Sequence, residues 1–144
     1  MKPPSRPQFN RPTTQLKVAP AKPGPRYAVQ PPVPLAGRSQ QIRATLHGTR
    51  QLAGSVDVMT AGPRKGYIAN LKVGHEHRRR GVAAQLIDAA VNTARRQGFS
   101  SVSLEARPSD NGISPQALVA MYRRQGFKSV GRSHRGSPLM ERKL

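Results

Sequence analysis

The chain has 144 residues, 25 Lys or Arg against 6 Asp or Glu, a formal net charge of +19 and no cysteine. That length suits one domain with a moderate core, and the missing cysteine excludes disulfides, thiolate metal sites and a cysteine nucleophile. Hydrophobic residues make up 35% and aromatics 4%, too few for a chain packed end to end, and no apolar run approaches the roughly 20 residues of a membrane span.

The basic excess favours polyanionic partners: nucleic acid, the ribosome or an acidic protein surface. The shortage of aromatics argues against base-stacking platforms for single strands. The opening MKPPSRPQFN is basic, but no apolar stretch follows it, so no secretory signal is expected. The expected location is cytoplasmic, without membrane contact.

Residues 1–39 hold ten of the 14 prolines, seven Lys or Arg and no acid. Proline removes backbone donors and disfavours helix, so this part is expected to form a basic, flexible, solvated arm. Within it, RYAVQ (Arg26 to Gln30) is the segment with strand character, flanked by prolines that would confine it to a sheet edge.

A folded domain is expected over 40–144. QIRATLHG alternates Ile42, Ala44 and Leu46 with polar neighbours, which predicts a strand. LAGSVDVMT continues with Val56 and Val58 in alternation. AGPRKG (Ala61 to Gly66) reads as a hairpin loop from its Gly and Pro content, and YIANLKV (Tyr67 to Val73) as the next strand. VAAQLIDAAVNTARRQ places Ala83, Leu86, Ile87, Ala90 and Ala94 at helical spacing, with Gly98 where a terminating glycine belongs. FSSVSLEA is a strand with Val102 and Leu104 on one face and Ser101, Ser103 and Glu105 on the other. SPQALVAMYRRQG predicts a second helix, capped by Ser114, with Pro115 in its first turn and Gly126 at its end. Leu118, Val119 and Tyr122 share one of its faces. FKSVGRSHRGSPLMERKL reads as two strands around a turn. The order β-β-β-α-β-α-β-β predicts an α/β fold (a mixed α+β sheet with helices packed on it).

One short segment stands out chemically. In HRRRGVAAQL (His77 to Leu86) a strand gives way to a basic loop, and Gly81 opens a helix. A helix start offers unpaired N–H groups and a positive dipole end, glycine lets a ligand approach the backbone, and guanidiniums add charge, so the segment reads either as a phosphate site or as a solvated arginine cluster. It is neither a Walker motif nor G-x-G-x-x-G. His75 and His77 flank Glu76, but no third ligand is in view, and both read as solvated; no metal is expected.

The stretch NLKVGHEHRRRGVAAQLIDAAVNTARRQGF resembles the central motif of the GNAT superfamily of N-acetyltransferases. There a strand, a loop of form R/Q-x-x-G-x-G/A and a helix cradle acetyl-coenzyme A; Arg78-Arg79-Arg80-Gly81-Val82-Ala83 fills that form. SLEARPSDNGISPQALVAMYRRQGF resembles the family's second element, in particular that of the ribosomal-protein-type branch that acetylates protein N-termini. Leu104-Glu105-Ala106-Arg107, Asn111 and Tyr122-Arg123-Arg124-Gln125-Gly126-Phe127 carry the likeness, which spans roughly residues 40–144. Leu118 stands where that branch has alanine.

The resemblance implies a role for each matching residue. Backbone groups of Leu71, Lys72 and Val73 would bond the pantetheine arm of acetyl-CoA, the co-substrate. Amides of Arg79, Arg80, Gly81, Val82 and Ala83 would hold the pyrophosphate, with charge added by Arg78, and Asn111 would contact the cofactor. Tyr122 would protonate the leaving thiolate, and Glu105 would accept the amine proton directly or through water. An amine attacks only when unprotonated, so a base or proton path is needed; orientation and amides polarising the acetyl carbonyl would supply most of the acceleration. Two plainer readings stay open: Glu105 as an acid paired with one of many arginines, and Tyr122 as a core tyrosine. Tyr67 occupies another base position of the family, but with an ordinary pKa of about 10 it is the poorer base. His47 and His134 are isolated; an approach of His134, in the last turn, to the acceptor amine is the lesser reading.

The chain departs from the family pattern in two places. Only the proline-rich arm precedes Gln40, where the family has a strand and two helices that wall the acceptor site. That wall would be open, completed by a partner chain such as a second copy, or filled by the arm. The connection from Arg107 to Tyr122 is also longer than in the N-terminal acetylating branch. The expected function is acetyl transfer to a primary amine of a protein, at an N-terminus or a lysine. The alternative is a GNAT-derived binding or inhibitor protein that docks on an acidic protein or nucleic acid without catalysis. Acetylation of small polyamines fits less well, because few acids are present to line a groove for them.

Overall fold

A computed structural model describes residues 26–107 and 113–144. Eight strands form one sheet: β1 (Tyr27–Val29), β2 (Val33–Pro34), β3 (Gln40–Leu46), β4 (Leu52–Gly62), β5 (Lys65–Val73), β6 (Ser101–Glu105), β7 (Lys128–Arg132) and β8 (Pro138–Lys143). Among the described residues two helices, α1 (Val82–Arg96) and α2 (Pro115–Arg124), interrupt the strands, and one 3-10 turn covers His75–His77. The sheet runs β1-β3-β4-β5-β6-β8-β7, with β2 also on the edge of β3. β5 and β6 are parallel and joined through α1; the other pairings are antiparallel. The α/β mixed sheet is the one the element order predicts.

Both helices form where their sequence signals lie. Val82, Leu86, Ile87, Ala90, Val91 and Ala94 bury one face of α1, which packs on β4, β5 and β3. Ser114 Oγ accepts from Ala117 N at 3.2 Å and Pro115 opens α2. Gly98 and Gly126 follow the helices in the left-handed conformation, with φ 83° and 92°, which glycine adopts without a Cβ penalty. On β3 and β4 the registered pairs Ile42↔Val56 and Gln40↔Val58 put Ile42, Val56 and Val58 on one face, where they join α1 residues in the core.

Two expectations give way. Residues 26–39, assigned to the arm, are partly sheet: Tyr27 to Val29, within the RYAVQ segment whose strand character the sequence shows, pair with Leu46 to Ala44, and Val33 and Pro34, with no such signal, pair with Gln41 and Gln40. These are edge positions, where prolines are tolerated because one side of the strand needs no donors. The hairpin loop is also shorter than Ala61–Gly66. Gly62 pairs with Lys65, leaving Pro63 and Arg64 as the turn, with Arg64 itself at φ 60°.

One strand glycine marks a close approach. A Cβ on Gly54 would lie 2.6 Å from the Lys72 carbonyl oxygen and 3.0 Å from Leu86 Cδ1. Gly54→Ala is therefore expected to lower stability by about 1–3 kcal/mol, the usual cost of overpacking. Denaturant unfolding checks it; an unchanged midpoint would mean that β4 and β5 part freely here.

Candidate active site

The site begins where two parallel strands separate. β5 and β6 pair from Lys65↔Ser101 to Ile68↔Leu104 and no further. Beyond that point β5 carries a bulge: Ser55 pairs with Lys72 and Asp57 with Ala69, so two residues, Asn70 and Leu71, oppose Val56 alone. Asn70 takes the left-handed conformation at φ 57°, which asparagine tolerates better than most side chains. Its Nδ2 donates to Asp57 Oδ2 at 2.8 Å. Gln41 Nε2 donates to Asp57 Oδ1 at 3.2 Å, and Arg43 Nε to Gln41 Oε1 at 2.9 Å.

This polar chain lies on the sheet face opposite Ile42 and Val56. Gln41↔Asp57 and Arg43↔Ser55 pair across β3 and β4 there, and residues paired in register share a face. On this face Arg43 and Asn70 are exposed, while Asp57 is buried between its partners. The sequence did not reveal Asp57 or Asn70 as a pair, since they are 13 residues apart and meet only through strand register. Asp57→Ala leaves the Asn70 amide without its acceptor. It is expected to lower stability by about 1–3 kcal/mol, read as a shift in melting temperature; no shift would mean that the bulge holds itself.

A cavity of about 880 Å³ opens at the splay. Leu71, Lys72 and Val73 line it from β5, Glu105 and Arg107 from the end of β6, Tyr122 from α2, and His134 and Arg135 from the β7–β8 turn. At one end Arg78 lines it too, with its Nε 3.4 Å from the Val73 carbonyl oxygen. Arg79 and Arg80 follow, exposed, Arg79 in the left-handed conformation at φ 62°. Gly81 then stands as N-cap of α1 at φ 82°, ψ 7°, with no side-chain cap and no acid in the first turn. The first amides of α1, including those of Val82 and Ala83, have no partner within the helix. A Cβ at Gly81 would meet nothing within 4 Å, so the space beside this N-cap residue is open. An elongated ligand with an anionic head fits this arrangement: a helix start for the anion and a cleft beside an extended strand for the rest.

The chemistry-bearing side chains differ in environment. Glu105 Oε2 accepts from Ser133 Oγ at 2.6 Å. That bond, with smaller contributions from Arg107, Arg135 and Ser137, holds its carboxyl below the usual range against the opposing effect of burial. It is therefore charged at neutral pH. Tyr122 is 4% exposed; burial first, then the nearby Tyr67, pushes its hydroxyl up to about 12. Tyr67 also lines the cavity, and burial followed by the Glu105 charge raises its hydroxyl too. Both tyrosines stay protonated at neutral pH.

The sequence model of the acetyltransferase (GNAT) family matches residues 34–127, more than half of the chain. The chain belongs to the GNAT family. Human N-acetyltransferase 8 is 36% identical over 78 residues, which is 54% of this GNAT chain and 32% of that protein; the chain thus spans about a third of that relative's length. The fold resembles ribosomal-protein-S18-alanine N-acetyltransferase from Escherichia coli (TM-score 0.61, 18% identity, 76% of this chain and 72% of that one). It also resembles PaiA N-acetyltransferase from Thermoplasma acidophilum, solved with coenzyme A (TM-score 0.59, 17% identity, 74% and 61%). Nourseothricin acetyltransferase matches at TM-score 0.56 and 27% identity, over 73% of this chain and 65% of that one.

The GNAT chain's remaining candidates divide. Asn111 lies outside the described residues. His75 and His134 are exposed, but His77 is buried at 6% exposure, a correction to its reading as solvated. Its Nδ1 lies 3.0 Å from Tyr27 Oη and its Nε2 3.3 Å from Gln51 Nε2. The signal was invisible in sequence because Tyr27 is 50 residues away. Among the described residues no helix is long and apolar enough to cross a membrane.

Proposed function

We propose that residues 40–144, with the short strands that precede them, form an acetyl-CoA-dependent N-acetyltransferase acting on a primary amine of a protein. The observation that supports this best is one cavity lined by Arg78, three residues before the glycine-opened, uncapped start of α1, and by both Glu105 and Tyr122. Bound acetyl-CoA supplies the acetyl thioester. Amides of Arg79 through Ala83 hold its pyrophosphate, Arg78 adds charge, and Leu71, Lys72 and Val73 align the pantetheine; Asn111 is assigned to the cofactor by resemblance alone.

Glu105, ionised and oriented by Ser133, holds the incoming ammonium. A carboxylate with a lowered pKa is a weak base, so the proton passes more readily through water than to Glu105 itself. Tyr122 keeps its proton at neutral pH; it would give that proton to the departing sulfur and regain one through water, where the amine releases its own. No covalent enzyme intermediate is required, which agrees with a chain that has no cysteine. The basic arm recruits an acidic or nucleic-acid-bound target, and the protein works in the cytoplasm.

Calorimetry with acetyl-CoA at low salt, together with CoA-thiol release in the presence of peptides, tests this. Stoichiometric binding and release are expected, with Glu105→Gln lowering turnover at least tenfold and leaving cofactor affinity nearly intact. Absence of acetyl-CoA binding sinks the enzyme reading. The charge of +19 favours one other reading, a family-derived protein that docks on an acidic protein or nucleic acid. That reading requires Glu105→Gln to leave function in cells untouched.

A further inference from the structure

The proposed function leaves the acceptor's chemistry open, and the charges at the acceptor end of the cavity narrow it. Among the described residues that line the cavity, Glu105 is the one acid. Arg107 follows it in a tight turn, with Arg107 N donating to the Glu105 carbonyl oxygen at 2.9 Å. Arg135 arrives from the β7–β8 turn, and that turn is built in place. Ser133 N donates to the Ser137 carbonyl oxygen at 2.8 Å, Gly136 N to the Ser133 carbonyl oxygen at 2.9 Å, and an Arg132 guanidinium nitrogen to the Gly136 carbonyl oxygen at 2.7 Å. Ser133 Oγ fastens the same turn to Glu105. Arg107 and Arg135 both act on the ionisation of Glu105 and of Tyr67, so both lie near the reacting end. Both are exposed.

A single carboxylate with two guanidiniums lining the same cavity complements an ammonium with anionic groups close by. We infer that the acceptor is a peptide amine with a carboxylate side chain in its first few residues, its ammonium held by Glu105 and its carboxylate by Arg107 and Arg135. Guanidinium and carboxylate match in geometry as well as charge. A lysine-rich segment or a polyamine would instead bring its further cations against Arg107 and Arg135. This rests on the reading of the cavity as an amine acetylation site.

Net charge alone draws any acidic peptide to a protein of +19, so the test needs a charge-matched control. Three amidated peptides, Ala-Glu-Ala, Ala-Gln-Ala and Ala-Lys-Ala, and free aspartate are offered to the full chain with acetyl-CoA at about 0.15 M salt, where exposed charges are screened beyond ~8 Å. The expected kcat/KM of the Glu peptide is roughly tenfold above the Gln peptide, as two partly exposed ion pairs allow, with the Lys peptide lowest. Arg107→Gln with Arg135→Gln brings the Glu peptide down to the level of the Gln peptide. Arg95→Gln with Arg96→Gln removes the same charge from the far end of α1, about 20 Å along the helix from its start, and leaves the preference intact.

Equal acetylation of the three peptides, a preference for the Lys peptide, or loss of the preference in the Arg95/Arg96 variant overturns the inference and leaves the proposed function standing. Free aspartate acetylated as well as the Glu peptide overturns the assignment to a peptide. Acetyl-CoA binding with no peptide acetylated sinks both.

Discussion

In Tyr122→Phe, turnover of acetyl-CoA with an amine acceptor is expected to fall about a hundredfold, while acetyl-CoA affinity stays within about twofold. A positioned general acid contributes roughly 10²–10⁴ to a rate, and the substitution removes only the hydroxyl. The ring keeps its place in the core beside Phe127, 6.0 Å between centroids. Single-turnover kinetics and calorimetry on the same preparation separate the two quantities. An unchanged rate would leave Tyr122 as a packing residue. The burial that keeps this hydroxyl protonated also makes the fold alkali-sensitive. Its pKa is raised to about 12 from 10.0, so its contribution to stability is complete below pH 10 and is lost as pH rises through about 12. Alkaline melting curves of Tyr122→Phe are expected to show less of this loss than those of the parent.

Gly81→Val is expected to weaken acetyl-CoA binding tenfold or more, beyond the few-fold loss in Arg78→Gln, Arg79→Gln or Arg80→Gln alone. At φ 82° an L side chain costs about 1–2 kcal/mol, and a β-branched one is the worst suited. Nothing lies within 4 Å of the added Cβ, so the cost is conformational rather than steric. The chain relieves it by rotating the turn, which would move the amides that the proposed function assigns to the pyrophosphate. Gly81→Asn, which tolerates this conformation, is expected to recover most of the affinity. Calorimetry at constant salt measures all five variants. Normal binding by Gly81→Val, with large losses in the arginine variants, would move the anion from main chain to side chains.

The helices and the central strands were legible because burial imposes a period on them. Leu86, Ile87, Ala90 and Ala94 recur at the α-helical period, and Val102 and Leu104 alternate with Ser103 as a strand requires. Local end signals sharpened them: Ser114 caps α2, and Gly98 follows α1 at φ 83°. The hairpin was misread because its left-handed residue is Arg64 rather than a glycine. The neighbouring Gly66, read as part of the loop, lies in β5, where a Cβ would approach Phe99 Cδ2 to 2.8 Å. It marks close packing, not a turn. What stayed hidden in the site depends on contacts between distant positions. Glu105 was visible as a strand-end acid, but not its bond to Ser133, 28 residues on. Asp57 and Asn70 acquire a role only once strand register brings them together.

The contact between Tyr27 and His77, rings perpendicular at 5.5 Å, joins two regions that composition alone would separate. Tyr27 lies in the proline-rich segment, and His77 one residue before Arg78, which lines the cavity. A pull or a partner acting on the N-terminal segment would reach the loop before α1 through this pair, with the β1–β3 pairing as its anchor. Shortening the chain to residue 40 thus removes a brace of the loop as well as the proline-rich segment, whereas shortening it to residue 26 spares the brace. The difference in acetyl-CoA affinity between those two truncations reads out how far that mechanical link extends into the site.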